Sequence, residues 1–305
     1  MFSILLGMAS IIAVGLLWRV LLGGKQAEAV RAHLVQAVYA VFLPALVLHV
    51  MWQTPVGLNV LRIPVVAAAG VLLSLLVAAL LYGDGKRVGG RKATGALLLA
   101  AGFGNVTYLG LPVLSQTFGP WAQSVAIPYD LFANTPLLFT VGILLAGHFG
   151  SAKQAAHPLI ELLRVPALWG ALAGLLLSLF ATPMPAWVDE SLAVLGAAVV
   201  PLMLLSIGMA LRWQAGWVKR IPALLPVIVI QLALMPLIVW GASIGVGMPE
   251  KLLAPMVIEG AMPCMVLGLV LCDRFKLDSS LYAEAVTLTT VLSLFTLPLW
   301  LKLVS

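Results

Sequence analysis

Gly102-Phe103-Gly104-Asn105-Val106-Thr107-Tyr108-Leu109-Gly110-Leu111-Pro112 interrupts an otherwise apolar stretch near residues 93–116. Three glycines, an asparagine and a proline within eleven residues are poor helix material. In hydrocarbon, such a backbone is tolerated only where protein or a water-filled cavity satisfies its polar groups. A second run, Glu259-Gly260-Ala261-Met262-Pro263-Cys264, interrupts residues 252–273 in the same way. There Pro263 is expected to leave the carbonyl of Glu259 without its usual donor, beside a carboxyl group that is costly in lipid.

The chain around these breaks is a membrane chain. Of its 305 residues, 62% are hydrophobic and 9% charged, against roughly 45–50% and 25% in soluble proteins. Marked in units of about 20 apolar residues, it gives ten candidate spans, near 1–22, 33–52, 62–82, 93–116, 121–147, 159–181, 189–211, 220–246, 252–273 and 279–303. The first has no basic leader and no cleavage signal, so it reads as a span rather than a signal peptide. Cys264 and Cys272 would stand about 12 Å apart along a helix, too far to bridge, and are expected to be packing residues. No metal site or other cofactor is expected.

Fourteen of the seventeen basic residues fall in or beside the loops after odd-numbered spans, among them Lys25, Arg31, Lys86, Arg87, Arg91, Lys92, Lys153, Arg164, Arg212, Lys219, Arg220, Arg274 and Lys276. Only Arg62, Lys251 and Lys302 fall on the other side. The positive-inside rule then puts both termini outside the cytoplasm. The net charge of +6 is explained by contact with anionic lipid headgroups and calls for no nucleic acid.

Short matches recur at a nearly constant offset. Arg62-Ile63-Pro64 returns as Arg220-Ile221-Pro222, Tyr82-Gly83 as Trp240-Gly241, Pro44 as Pro201 and Phe118 as Phe275. The expected fold is therefore an all-α polytopic membrane protein, with ten transmembrane helices in two inverted five-helix repeats. Residues 1–147 form the first, 148–158 a short cytoplasmic linker and 159–305 the second. Inverted repeats place a transporter's site near the bilayer midplane, at broken helices. The candidate substrate-binding residues are accordingly Asn105, Thr107, Tyr108, Gly110, Pro112, Met262, Pro263 and Cys264. Ionisable residues inside spans are costly and usually functional, so Glu259, and Asp130 with Asn134 one turn on, are candidates for a coupling ion or proton. Gly170-Ala171-Leu172-Ala173-Gly174 permits close helix packing and is a candidate homodimer contact.

Asn105 to Pro112 resembles the N-x4-G-x-P signature in the fourth helix of the auxin efflux carrier family. Phe42-Leu43-Pro44-Ala45-Leu46 resembles its helix-2 element, Pro201-Leu202 with Ser206-Ile207-Gly208 its helix-7 element, and Ala261-Met262-Pro263 with Leu271-Cys272-Asp273-Arg274-Phe275 its helix-9 element. The resemblance implies broken helices 4 and 9 crossing at their prolines, a scaffold of helices 1, 2, 6 and 7, and a transport domain of helices 3–5 and 8–10 working as an elevator. It also implies small organic anions as substrates. The short stretch at 148–158 points to a bacterial-type carrier of the inner membrane. The role of Glu259 rests on burial alone.

Other classes fare worse. The Tyr129-Asp130 pair is half of an intramembrane aspartyl protease signature, but the G-x-G-D half is missing. No G-x-x-x-x-G-K-[ST] phosphate loop is present for an ATP-driven pump. A sodium-coupled symporter of the bile-acid type, or a channel-like facilitator, remains an alternative to a proton-coupled carrier.

Overall fold

The computed structural model describes residues 2–55, 57–83, 88–151, 158–211 and 217–304. Asp84, Lys86, Arg87, Lys153, Arg212 and most of the expected linker at 148–158 lie outside these residues. The helices are α1 (Phe2–Leu22), α2 (Gly24–Gln53), α3 (Leu58–Tyr82), α4 (Arg91–Gly102), α5 (Leu111–Phe118), α6 (Pro120–Phe149), α7 (Pro158–Leu163), α8 (Pro166–Leu179), α9 (Ala186–Ala210), α10 (Trp217–Gly245), α11 (Glu250–Gly260), α12 (Gly268–Phe275) and α13 (Ser279–Val304).

Among the described residues, six helices are long and apolar enough to cross a membrane: α2, α3, α6, α9, α10 and α13. This corrects the expectation of ten spanning helices, and no clear inverted five-plus-five pattern runs through the element order. The reasons are local. Leu6–Leu22 and Pro166–Leu179 are shorter apolar helices. The stretches at 93–116 and 252–273 are each cut into two short helices by the glycines and prolines quoted above. The cuts also differ: α5 follows Asn105 through a single π-turn, whereas residues 261–267 between α11 and α12 are not helical. The recurring matches are at most three residues long, in apolar sequence where chance similarity comes easily.

Proline shapes the long helices in a regular way. π-Turns occupy Val38–Phe42, Val106–Gly110, Asp130–Asn134, Leu138–Gly142 and Ile230–Leu234. All but Leu138–Gly142 end two residues before a proline: Pro44, Pro112, Pro136 and Pro236. A proline lacks the N–H and clashes with the carbonyl four residues back, and a π-turn accommodates this by widening the helix by one residue.

Two packed groups result. In one, α1 lies along the second half of α9, and the second half of α2 lies against α8 and the first half of α9. Contact here is backbone-close: a Cβ on Gly170 would sit 2.7 Å from the Pro44 carbonyl oxygen, and one on Gly174 2.8 Å from that of Leu48. The Gly170–Gly174 face expected to serve a dimer is thus spent on α2 of the same chain. In the other group, α3 packs on α4, α10 and the middle of α6, and α13 on α4 and α11.

The polar ends sort the helices by side. At one end Arg274 Nη1 meets Glu161 Oε1 at 3.0 Å, and Asp278 N–H donates to the Lys92 carbonyl at 3.3 Å. Arg220 also stands 3.5 Å from Glu284 there. At the other, His49 Nε2 pairs with Asp189 at 2.6 Å and Arg62 donates to the Gly247 carbonyl at 3.0 Å. Among the described residues, the first end holds most of the basic side chains.

Candidate functional site

Phe103, Gly104 and Asn105 leave α4 in an extended stretch, and Pro263 to Met265 do the same after α11. The two stretches meet as an antiparallel bridge between Gly104 and Cys264. Asn105 N–H donates to the Pro263 carbonyl at 2.7 Å, and Met265 N–H to that of Phe103 at 2.9 Å. Backbone groups freed by one break therefore satisfy those freed by the other, which a non-helical backbone inside a membrane requires.

Side chains from three further helices complete the junction. Gln231 Nε2 of α10 donates to the Met262 carbonyl at 3.1 Å. Thr289 Oγ1 of α13 accepts the Cys264 N–H at 3.1 Å. Asn134 Nδ2 of α6 donates to the Gly104 carbonyl at 3.2 Å. Gln231 and Thr289 were not singled out in the sequence; a buried amide and a run of threonines and serines in spans were the signal.

The two expected coupling carboxyls have different surroundings. Asp130, on the π-turn of α6, accepts from the Thr107 hydroxyl, from Asn134 Nδ2 at 3.0 Å and from Thr135 Oγ1 at 3.0 Å. It is a satisfied group that ties α6 to the first break. Glu259 is fully buried, and neither carboxyl oxygen has a hydrogen-bond partner. Its carboxyl packs against the backbone of Gly110, where an added Cβ would meet Oε2 first and lie 2.8 Å from Glu259 Cδ and 3.0 Å from Oε1. An unpaired charge in such a place costs several kcal/mol. The Glu259 carbonyl, expected to be orphaned by Pro263, accepts the Met262 N–H at 3.3 Å; a turn after α11 supplies the donor that a continued helix would have lost. The Asn105 side chain is fully buried with neither amide atom partnered.

A cavity of about 720 Å³ runs from the basic end to this junction. Helix α2 lines it with one face: Glu28, Arg31, Ala32, Val35, Gln36 and Tyr39, a span of about 16 Å along the axis. Opposite stand Ser206 and Ile207 of α9, Val266 and Leu267 after the second break, Asp273 of α12 and Ser280 of α13. Of the residues expected to bind substrate, Tyr108 alone lines this cavity. Asn105, Thr107, Gly110, Pro112, Met262, Pro263 and Cys264 are buried behind it. The α2 face was hidden by placing the start of the span at residue 33. The helix begins nine residues earlier because Gln26, Ala27, Glu28, Ala29 and Arg31 are helix-compatible and Glu28 pairs with Arg31 one turn on. Cys264 and Cys272 are free and buried, and among the described residues no group of His, Cys, Asp and Glu could hold a metal ion.

Comparison with known proteins places the chain among membrane transport proteins. The family described as "Membrane transport protein" matches residues 3–301. A protein of Methanothermobacter thermautotrophicus described as an uncharacterized transporter is 31% identical over 207 residues, 68% of this chain and 67% of its own. Another so described, from Methanocaldococcus jannaschii, is 30% identical over 256 residues, 80% of this chain and 79% of its own. A multi-pass membrane chain with interrupted helices meeting under a cavity, matched over almost its full length, belongs to the membrane transport protein family.

Proposed function

We propose that this protein is a secondary transporter of small organic carboxylates, driven by protons and working by alternating access in the plasma membrane. The observation that carries the reading is the antiparallel bridge of Gly104 and Cys264, which stand four and two residues before Tyr108 and Val266 of the cavity wall. A substrate reaching the bridge from the basic side meets Tyr108 and, one layer further, the buried Asn105 amide. Arg31 and the hydroxyls of Tyr39, Tyr108 and Ser206 supply donors suited to a carboxylate. Movement of the group built on α3, α6 and α10 past the group built on α1, α2, α8 and α9 would carry the junction to the other side. This is an elevator in outline. The basic end faces the cytoplasm in this reading, with both termini outside. A homodimer would use lipid-facing residues of the α1–α2–α8–α9 group other than Gly170 and Gly174.

Glu259 is the proton carrier in this scheme, since its carboxyl has no partner to balance a charge. One observation favours sodium instead: Asn105 Oδ1, Gln231 Oε1 and Glu259 are buried, unpartnered oxygen acceptors, and hard cations take oxygen ligands. Reconstituted vesicles separate the readings. Saturable, exchangeable uptake of labelled carboxylates, stimulated by an inward proton gradient and indifferent to sodium, is expected. Non-saturable uptake would indicate a channel, and strict sodium dependence would overturn proton coupling.

A further inference from the structure

Tyr129 of α6 is fully buried, and its hydroxyl has no hydrogen-bond partner. A serine or threonine hydroxyl in a helix can turn to a carbonyl one turn back. A phenol stands at the far end of a rigid ring and cannot reach its own backbone, so a buried tyrosine needs a partner on another helix. Three other helices converge on this hydroxyl. A Cβ on Gly70 of α3 would lie 3.7 Å from Tyr129 Oη and 2.9 Å from Val239 Cγ2 of α10. One on Gly260 of α11 would lie 2.9 Å from the same methyl group. Glu259, beside Gly260, is the carboxyl whose charge acts most on the Tyr129 hydroxyl, ahead of Asp130, the next residue along the chain.

Carboxyl and phenol are complementary, yet they do not meet here: the carboxyl rests against the backbone of Gly110 with both oxygens unpartnered. That seat suits an uncharged group, because an unpaired charge in it is costly. Once the proton has gone, the carboxylate needs a donor that its own side-chain torsions can reach. Asp130 supplies none; it accepts from Thr107, Asn134 and Thr135. On the elements packed against α11 and the first half of α6, the other titratable groups are Tyr108, which lines the cavity, and groups toward the helix ends. The latter are His49, Arg62, Tyr82, Lys219, Arg220, Tyr282, Glu284 and Lys302. We propose that Tyr129 is the second seat of the Glu259 carboxyl: protonated, it rests on Gly110, and deprotonated, it turns to accept the Tyr129 O–H. Tyr129 keeps its own proton throughout and acts on the cycle through Glu259, as a positioning residue. This deepens the proton-carrier reading of Glu259 and rests on it.

The test is a pH titration of the purified full-length protein in lipid, followed by infrared difference spectroscopy, which needs no substrate. The Glu259 carboxyl band is identified as the one missing from Glu259→Gln. In the wild type, its loss as the pH is raised should be accompanied by a shift of a tyrosine band with the same midpoint. Tyr129→Phe, which lacks the donor, should raise the pH of half-loss by about one to two units, a hydrogen bond to a charged group expressed as a titration shift. A residue that only packs would lower the thermal midpoint and leave this titration in place. If Tyr129→Phe fails to fold, the tyrosine band of the wild type, and its absence from Glu259→Gln, decide alone. An unmoved half-loss pH in Tyr129→Phe, or tyrosine bands indifferent to Glu259, would overturn the proposal and leave Glu259 a proton carrier. A Glu259 band that persists at every pH at which the protein stays folded would overturn both.

Discussion

Gly110 and Glu259 make the sharpest test of how the two breaks are built together. A Cβ at residue 110 would stand 2.8 Å from Glu259 Cδ and 3.0 Å from Oε1, where unstrained carbon contacts lie near 3.5–4.0 Å. The carboxyl must then retreat by roughly 1 Å into a fully packed surround, and overpacking of this kind costs about 1–3 kcal/mol. Gly110→Ala should lower the thermal midpoint in detergent, because residue 110 lies at the end of a π-turn where a backbone shift would disturb the Asn105–Gly110 hydrogen bond. Glu259→Ala removes the obstacle. The double variant Gly110→Ala/Glu259→Ala should recover most of the loss, with a favourable coupling of about 1 kcal/mol or more between the two sites. Strictly additive midpoints across wild type, the two single variants and the double would refute the claim that this carboxyl is seated on Gly110.

Asp130→Asn replaces one of two acceptor oxygens that serve Thr107, Asn134 and Thr135, so it should destabilise by about 1–3 kcal/mol, read as a thermal midpoint below that of the wild type. Transport into vesicles should rise as the outside is acidified, and Glu259→Gln, fixed in a neutral form, should abolish that pH dependence while substrate still binds; unchanged pH dependence would remove Glu259 from the cycle. Asn105→Ala should abolish substrate binding without a change in elution profile, and wild-type affinity in that variant would show that the buried amide is a packing group. A cysteine at Ser151 in a Cys264→Ser, Cys272→Ser background should resist an impermeant reagent added outside cells, since it lies at the basic end.

The junction was legible because its composition is improbable in a membrane helix. Gly104, Asn105 and Pro263 could be picked out as a place where backbone must find partners outside its own helix, although which partners required the fold. Asp130 and Asn134 were legible as one face, and they hydrogen-bond at 3.0 Å. The cavity was not, because a helix start is a weak signal: Lys25, Gln26, Glu28 and Arg31, scattered through the nine residues before an apolar run, look like a loop until their helical spacing is tried. The helix count failed for the converse reason. Apolar length alone marks a stretch as a span, yet Phe103–Asn105 and Ala261–Leu267 show that an apolar stretch need not be one continuous helix. The Gly170–Gly174 face was read correctly as a close-packing surface and assigned the wrong partner, because spacing says how near another helix comes and nothing about whose helix it is.

The π-turns carry a further meaning for how this chain tolerates change in length. Each holds one residue more than an α-helical circuit needs. A residue deleted within Val38–Phe42 takes out that extra one: the hydrogen bonds close in the ordinary way and the helix beyond keeps its angular register, because five residues of π-turn and four of α-helix turn through about the same angle. The same deletion in the α-helical turn that follows would rotate everything after it by about 100°, and the face of α2 that meets α8 would swing away from Gly170 and Gly174. The π-turns that precede Pro44, Pro112, Pro136 and Pro236 are therefore slack in the chain, the places where a change of one residue in length can be taken up without turning the helices on either side.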